Sequence, residues 1–296
     1  NKGLNVHSEI GALKKVCVHR PGMDLVNMGG DFDRVWIHDA FYLDYAQKEH
    51  DQFTDLLRGA GAEVVYMEDL VAETFDKVEG ARAEFMGKFM NESGIKNAAL
   101  RQAVVEKLDS IKDNKEFVLT AMGGLYVRDL EIPHVGGSLA SLDGDELKGD
   151  DMVLFPMPAS YFSRDPLAVV GKGATMNRMY WNQRNREVIF YETVLRNHPD
   201  YAGSPIWYDH NSEWHIEGGD ILNITQDAAI GISERTQTAA IDELAKNMFW
   251  GSDEAEIENI YAIKIPHGLH MHLDTVCTQV DRDKFTVYPG IYQTLR

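Results

Sequence analysis

Residues 46–67 read AQKEHDQFTDLLRGAGAEVVYM. Ala46, Phe53, Leu56, Leu57 and Ala60 recur at helical spacing and predict an amphipathic helix with these residues on its apolar face. Gly59 and Gly61 stop that helix, and Glu63–Met67 (EVVYM) then predicts a buried strand. Upstream, Leu13–Val18 (LKKVCV) reads as a strand closed by the turn Arg20-Pro21-Gly22. Strand, helix and strand in this order define an α/β chain.

Outward from this stretch the texture changes twice. From Leu70 to Met122 proline is absent and helix formers dominate, which predicts several short helices broken at glycines. Residues His134–Asp151, rich in Gly and Asp, predict a solvated loop. Beyond Val153 the α/β texture returns. Strands are expected at Ile206–Tyr208, Ile221–Ile224, Ala228–Ile232, Ile260–Ile265 and Phe285–Tyr288, and a helix at Arg186–Arg196 stopped before Pro199. Ile241, Leu244, Ala245 and Met248 mark a further amphipathic helix. Strand pairs alternating with single helices point to a repeated ββαβ unit of irregular period.

Composition narrows the function classes. Of 296 residues, 29 are Lys or Arg and 47 are Asp or Glu, for a net charge of −18. Such a field repels nucleic acid and anionic membranes and attracts small cations. The first residues lack the apolar core of a signal peptide, and no run approaches the ~20 apolar residues of a membrane span. The two cysteines, Cys17 and Cys277, sit in apolar runs and predict no disulfide framework. The expected compartment is the cytoplasm.

Four polar clusters lie within or beside apolar strand patterns, where unpaired polar groups are costly. The first is Phe162-Ser163-Arg164-Asp165-Pro166, in which the proline holds Asp165 extended. The second is His215-Ile216-Glu217-Gly218-Gly219-Asp220. On a strand His215 and Glu217 would share a face, and the glycines would permit a bulge or close approach. The third, His267 to Thr275 (HGLHMHLDT), would align His270, His272 and Asp274 on one strand face. That alignment suits either a metal or a histidine acid–base flanked by a carboxylate. The fourth is a pair of arginines, Arg184 and Arg235, each able to clamp a carboxylate bidentately. Each cluster alone is also compatible with a turn, a cap or a surface ion pair.

In chain order, VHSEIGALKKVCVHRPG, AQKEHDQF, YFSRDP, NRE, EGGD, GISERT and MHLDT resemble segments of the arginine deiminases. The resemblance runs from His7 to Leu295. It implies an α/β fold of ββαβ units about a pseudo-fivefold axis, the pentein-like propeller, occupying residues 1–69 and 124–296, with a helical subdomain inserted at 70–123. It implies hydrolysis of L-arginine to L-citrulline and ammonia through a covalent amidino-cysteine intermediate, with no cofactor and no metal. By the same resemblance Asp165 and Asp274 hold the substrate guanidinium. His272 is the general acid–base and Glu217 pairs with the guanidinium and assists proton transfer. Arg184 and Arg235 grip the α-carboxylate, Phe162 forms an aromatic wall, and a homo-oligomer is expected. Asp220 is weighted as a brace rather than a reactant.

The chain departs from the pattern in two places. The nucleophilic cysteine of the family belongs to a glycine-rich C-terminal segment with no counterpart before Thr294-Leu295-Arg296, so the propeller is expected to be incomplete at that end. Cys17 and Cys277 read as small buried hydrophobes rather than substitutes. Ala159 stands where the family has an asparagine, a loss of about 1 kcal/mol of polar contact. Alternatives are a hydrolase for agmatine or methylated arginine, a non-catalytic arginine-binding relative, and a metal hydrolase built on His270, His272 and Asp274.

Overall fold

The computed structural model describes residues 3–27, 42–132, 147–251, 255–266 and 270–291. The chain divides into two compact units, Val16–Tyr161 and a second made of Phe162–Arg296 with Asn1–Lys15.

In the first unit β1 (Lys15–Val18) pairs with β2 (Glu63–Tyr66), and β3 (Leu125–Tyr126) with β4 (Met152–Leu154). The short α1 (Met23–Val26) follows β1, and α2 (Leu43–Gly59) precedes β2. Four helices then run in succession: α3 (Met67–Lys77), α4 (Ala81–Asn91), α5 (Ala98–Ser110) and α6 (Asn114–Gly123). Gly80 (φ 82°) supplies the left-handed turn between α3 and α4. Asn97 and Asp113 cap α5 and α6 through their side chains. Phe75, Phe85, Phe89 and Phe117 fill the centre, edge-on or stacked with centroids 5.3–5.8 Å apart.

Two expectations fail here. Phe53, Leu56 and Ala60 lie on the exposed side of α2, which turns Thr54 and the half-buried Leu57 inward. The β2 strand is half-buried rather than buried, and Met67 begins α3 instead of ending the strand. Polar groups of two depths lie beside these elements. Asp51 on α2 receives a two-pronged bond from Arg20 (2.8 Å each). Beneath it the buried His19 gives Nδ1 to Glu68 at 2.9 Å and faces Asp24 through Nε2 at 3.3 Å. Burial opposes a charge on His19, but these two carboxylates prevail and raise its pKa to about 9. The loop expected at His134–Asp151 falls mostly outside the described residues; its end, Leu147–Asp151, is exposed.

The second unit contains one arrangement twice. Strands β5 (Leu167–Val170) and β6 (Gly173–Met176) form an antiparallel hairpin, α7 (Asn185–Asn197) follows, and β7 (Ile206–Tyr208) returns parallel to β6. The same sequence recurs as β8 (Ile221–Ile224), β9 (Asp227–Ile232), α8 (Thr238–Trp250) and β10 (Asn259–Lys264). A third hairpin, β11 (Cys277–Asp281) with β12 (Lys284–Val287), follows. Period-two alternation sends Ile221, Ala228 and Ile230 into one core with Trp207, Ile241 and Leu244, while Leu222 and Ala229 enter another with Ile265 and Leu273. The open edge of β8 is covered by the N-terminal strap: Ser8 bridges Ile224, and the Glu9 amide donates to the Asn223 carbonyl at 3.1 Å. No helix among the described residues is long and apolar enough to cross a membrane.

Candidate active site

The repeated topology decides where chemistry collects. Leu167, at the start of β5, pairs with Met176 at the end of β6, and Ile221, at the start of β8, pairs with Ile230, two residues before the end of β9. The residues just before the first strand and just after the second therefore meet at one end of each unit. Asp165 precedes β5, Glu217 and Asp220 precede β8, and His272 and Asp274 precede β11. Arg184 lies between β6 and α7, and Arg235 between β9 and α8.

His272 is the hub. Its Nε2 meets Glu217 Oε2 at 2.7 Å and its Nδ1 lies 3.8 Å from Asp165 Oδ1. All three residues are buried. Burial works against charging the imidazole, but the Glu217 hydrogen bond and the charges of Asp165 and Asp220 hold its pKa above the ordinary value. Burial pushes the Glu217 carboxyl up, yet the His272 bond and the Arg184 and Arg235 guanidinium groups outweigh it and leave the pKa low. Both shifts act toward a charged imidazole beside an ionised carboxylate.

The backbone explains how these groups come so close. A Cβ at Gly219 would lie 2.6 Å from His272 Nδ1, and one at Gly218 would lie 2.0 Å from the Arg164 carbonyl oxygen. The two glycines make room for a ring and a main chain of this protein, where the sequence allowed a bulge or a ligand. Asp220 braces the site. Its Oδ1 accepts from the Leu273 amide (2.8 Å) and its Oδ2 from the Ser233 hydroxyl (2.6 Å). Ser233 Oγ in turn accepts from the Arg235 and Thr236 amides, so one carboxylate fixes both the His272 turn and the Arg235 turn. Burial raises the Asp220 pKa to about 6.

Arg184 gives Nε and Nη2 to Glu187 and Nη1 to Asp165 Oδ2 at 2.9 Å. Arg235 lies over the Tyr180 and Trp181 rings, 5.2 and 5.9 Å from their centroids, with Nη1 3.8 Å from Glu217. The Tyr180 amide donates to Glu217 Oε1. Asp274 is half-buried and outside the hydrogen-bonded group. Burial raises its pKa, Asp165 and Glu9 add to the rise, and His272 and Arg164 oppose it. The Phe162 side chain is exposed.

Two sequence-derived alignments are corrected. Residues 273–275 form a 3-10 turn after an extended His272, not a strand, so His270 and His272 do not share a face. His270 instead packs its ring against Tyr288, 5.0 Å between centroids. His267 lies outside the described residues. Residues 213–217 are likewise not a strand, and His215 stands edge-on to Tyr180 rather than beside Glu217. Among the described residues the ligand-type cluster is Asp165, Glu217 and His272, whose polar atoms fall within 4.8 Å of one another. Arg184 and Arg235 already bring positive charge to those carboxylates, which disfavours a metal ion among them.

Neither cysteine belongs to this group. Cys17 sits in the other unit, where enclosure of its thiol and the Glu68 charge push its pKa up to about 12. Cys277, on β11, packs against the Leu222 core, and burial raises its pKa too. Glu9 and Glu187 lie in the VHSEIG and NRE stretches quoted for the resemblance, but nothing there assigned them a role, and Tyr180 and Trp181 carried no signal beyond proximity to Arg184.

A sequence model of the arginine deiminase family matches residues 33–296. The chain belongs to the arginine deiminase family. It is 43% identical over 297 residues to the arginine deiminase of Treponema denticola, covering 99% of this chain and 71% of that protein. The arginine deiminase of Clostridium perfringens is 40% identical, with 98% and 70% covered. Among solved structures, an amidinotransferase of the saxitoxin biosynthetic pathway from Microseira wollei superposes with a TM-score of 0.51 at 16% identity, covering 97% of this chain and 69% of that one. The fold is accordingly the pentein-like α/β fold of ββαβ units, and the segments that placed the chain in the arginine deiminase family also supply the buried Asp165–His272–Glu217 group.

Proposed function

We propose that this chain carries the guanidinium-binding and proton-transfer groups of an arginine deiminase, which hydrolyses L-arginine to L-citrulline and ammonia. The observation that supports this reading best is His272 held between two buried carboxylates, with the buried Arg235 and the largely covered Arg184 a few ångströms further out.

A guanidinium is a planar fork of N–H donors, and carboxylates bind it in matched pairs. Asp165 and Asp274 provide such a pair from two turns. Substrate exchanges the Arg184–Asp165 contact for its own: Asp165 takes the guanidinium and Arg184, steadied by Glu187, turns to the α-carboxylate with Arg235. Phe162 closes over the aliphatic stem. His272, charged beside Glu217, delivers a proton to the departing ammonia and then, neutral, accepts one from the attacking water. Glu217 stabilises the imidazolium before the first transfer and after the second. The family's covalent step needs a thiolate, and the raised pKa values of Cys17 and Cys277 suit neither for it.

Two arginines facing the substrate favour a ligand that bears a carboxylate, which separates L-arginine from agmatine. Titration calorimetry tests this directly: L-arginine binds at micromolar to millimolar concentration and agmatine much more weakly. Equal binding of both, or of neither, overturns the assignment. We further propose a helical insertion at 70–123 within residues 1–69 and 124–296, a cytoplasmic location and a homo-oligomeric state, which sedimentation would test.

A further inference from the structure

One charged pair in this unit has no part in the chemistry just described, yet joins the segment that carries Asp165 to the one that carries Glu217. Arg164 immediately precedes Asp165. Its Nη1 and Nη2 bind Glu9 Oε2 and Oε1 at 3.0 and 2.9 Å. Its Nε donates to the Gly218 carbonyl at 3.2 Å and its Nη2 also to the Ile221 carbonyl at 2.5 Å. Glu9 is anchored in its turn, because Oε1 accepts from the Asn223 amide at 2.8 Å. The Arg164 main chain fills the space left open by Gly218, and the Gly218 amide donates back to the Asp165 carbonyl at 3.0 Å.

We infer that Arg164 and Glu9 form a positioning pair for the reaction: the N-terminal strap, through Glu9, locks a guanidinium that sets the spacing between Asp165 and the Glu217–Asp220 turn. The inference rests on the proposed arginine site. Its physical basis is that the planar fork of arginine reaches four acceptors on two separate segments at once, which fixes their mutual position more tightly than any one contact. A carboxylate turned by a small angle or shifted by an ångström loses the matched geometry that a guanidinium requires. Arg164 touches neither His272 nor the space between the carboxylates, so it acts through the residues it holds.

The pair also leaves an electrostatic signature. The groups that face the Asp274 carboxyl are His272 on its own turn, Asp165 and Arg164 on the preceding loop, and Glu9 on the strap. Arg164 lowers the Asp274 pKa and Glu9 raises it. Neutralising each member therefore moves the Asp274 titration in opposite directions, whereas a general loosening of the fold moves both the same way or neither.

The test uses the full chain with Glu9→Gln, Arg164→Met and Arg164→Lys. Carbon-13 NMR follows the Asp274 carboxyl against pH, and calorimetry follows L-arginine binding. The expected result is an Asp274 midpoint shifted down in Glu9→Gln and up in Arg164→Met, with L-arginine bound at least tenfold more weakly in both. Arg164→Lys keeps the charge without the fork, so it restores the midpoint but not the affinity. Should Arg164→Met fail to fold, Glu9→Gln decides alone. A Glu9→Gln protein with wild-type affinity and an unmoved Asp274 overturns the inference. If the wild type binds no L-arginine, the functional reading fails, while opposed Asp274 shifts still support the pair.

Discussion

His19→Gln isolates the buried charge cluster of the first unit. In the wild type an imidazolium sits between Glu68 at 2.9 Å and Asp24 at 3.3 Å, with all three residues almost free of solvent. Its pKa rises from the ordinary 6.5 to about 9. Each pKa unit corresponds to about 1.4 kcal/mol, so the linkage amounts to on the order of 3 kcal/mol. The sign follows from the folded state binding the proton more tightly than the unfolded chain. The stabilisation is complete below pH 6.5 and is lost as pH rises through about 9. Glutamine keeps hydrogen-bonding capacity but no charge, and it leaves two buried carboxylates unneutralised at a cost of about 3–5 kcal/mol. The assay is urea unfolding of wild type and variant at pH 6 and pH 10, with the difference between the two proteins taken at each pH. Other titrating groups cancel in that difference. It should shrink by roughly 3 kcal/mol from pH 6 to pH 10. A difference that stays constant across the range, or a variant as stable as the wild type at pH 6, would refute the charged-cluster account.

Asp165→Asn should weaken L-arginine binding about 10- to 100-fold by calorimetry, the worth of hydrogen bonds to a charged group, with the unfolding midpoint changed little. Gly219→Ala drives a methyl into the His272 ring, so the His272 imidazole resonances and L-arginine affinity should both change. Gly59→Ala, where nothing lies within 4 Å, serves as the control. Cys17→Ser and Cys277→Ser should leave the L-arginine dissociation constant unchanged; a loss in either would place a thiol in the site.

Legibility in the sequence followed the physics of each element. The strands Ile206–Tyr208 and Ile221–Ile224 and the helix after Arg184 were readable because these short apolar strands are largely buried and Pro199 marks the stop. The α2 face was misread because helical spacing does not show which side is covered: Thr54 is buried, Phe53 and Leu56 are exposed, and Asp51 stays half-exposed in its pair with Arg20. The HGLHMHLDT segment was misread because alternation imitates a strand, whereas the chain turns at Leu273–Thr275, held by its own backbone bonds and by Asp220 at the Leu273 amide. Of the site, Asp165, Glu217 and His272 converge, Asp274 stands beside them, and Phe162 remains exposed. Glu187 and Glu9 were illegible, since a carboxylate that serves an arginine looks in sequence like any surface acid.

The hairpin registers put Asp165 and Arg184 at one end of their unit, and Glu217 and Arg235 at the same end of the next. The opposite end holds the exposed turns at Ala202-Gly203 and Thr225-Gln226. Length added there lies a whole strand away from the carboxylates. Those two turns are therefore natural ports for a fluorophore, an affinity tag or a fused domain that reports on ligand binding without entering the pocket.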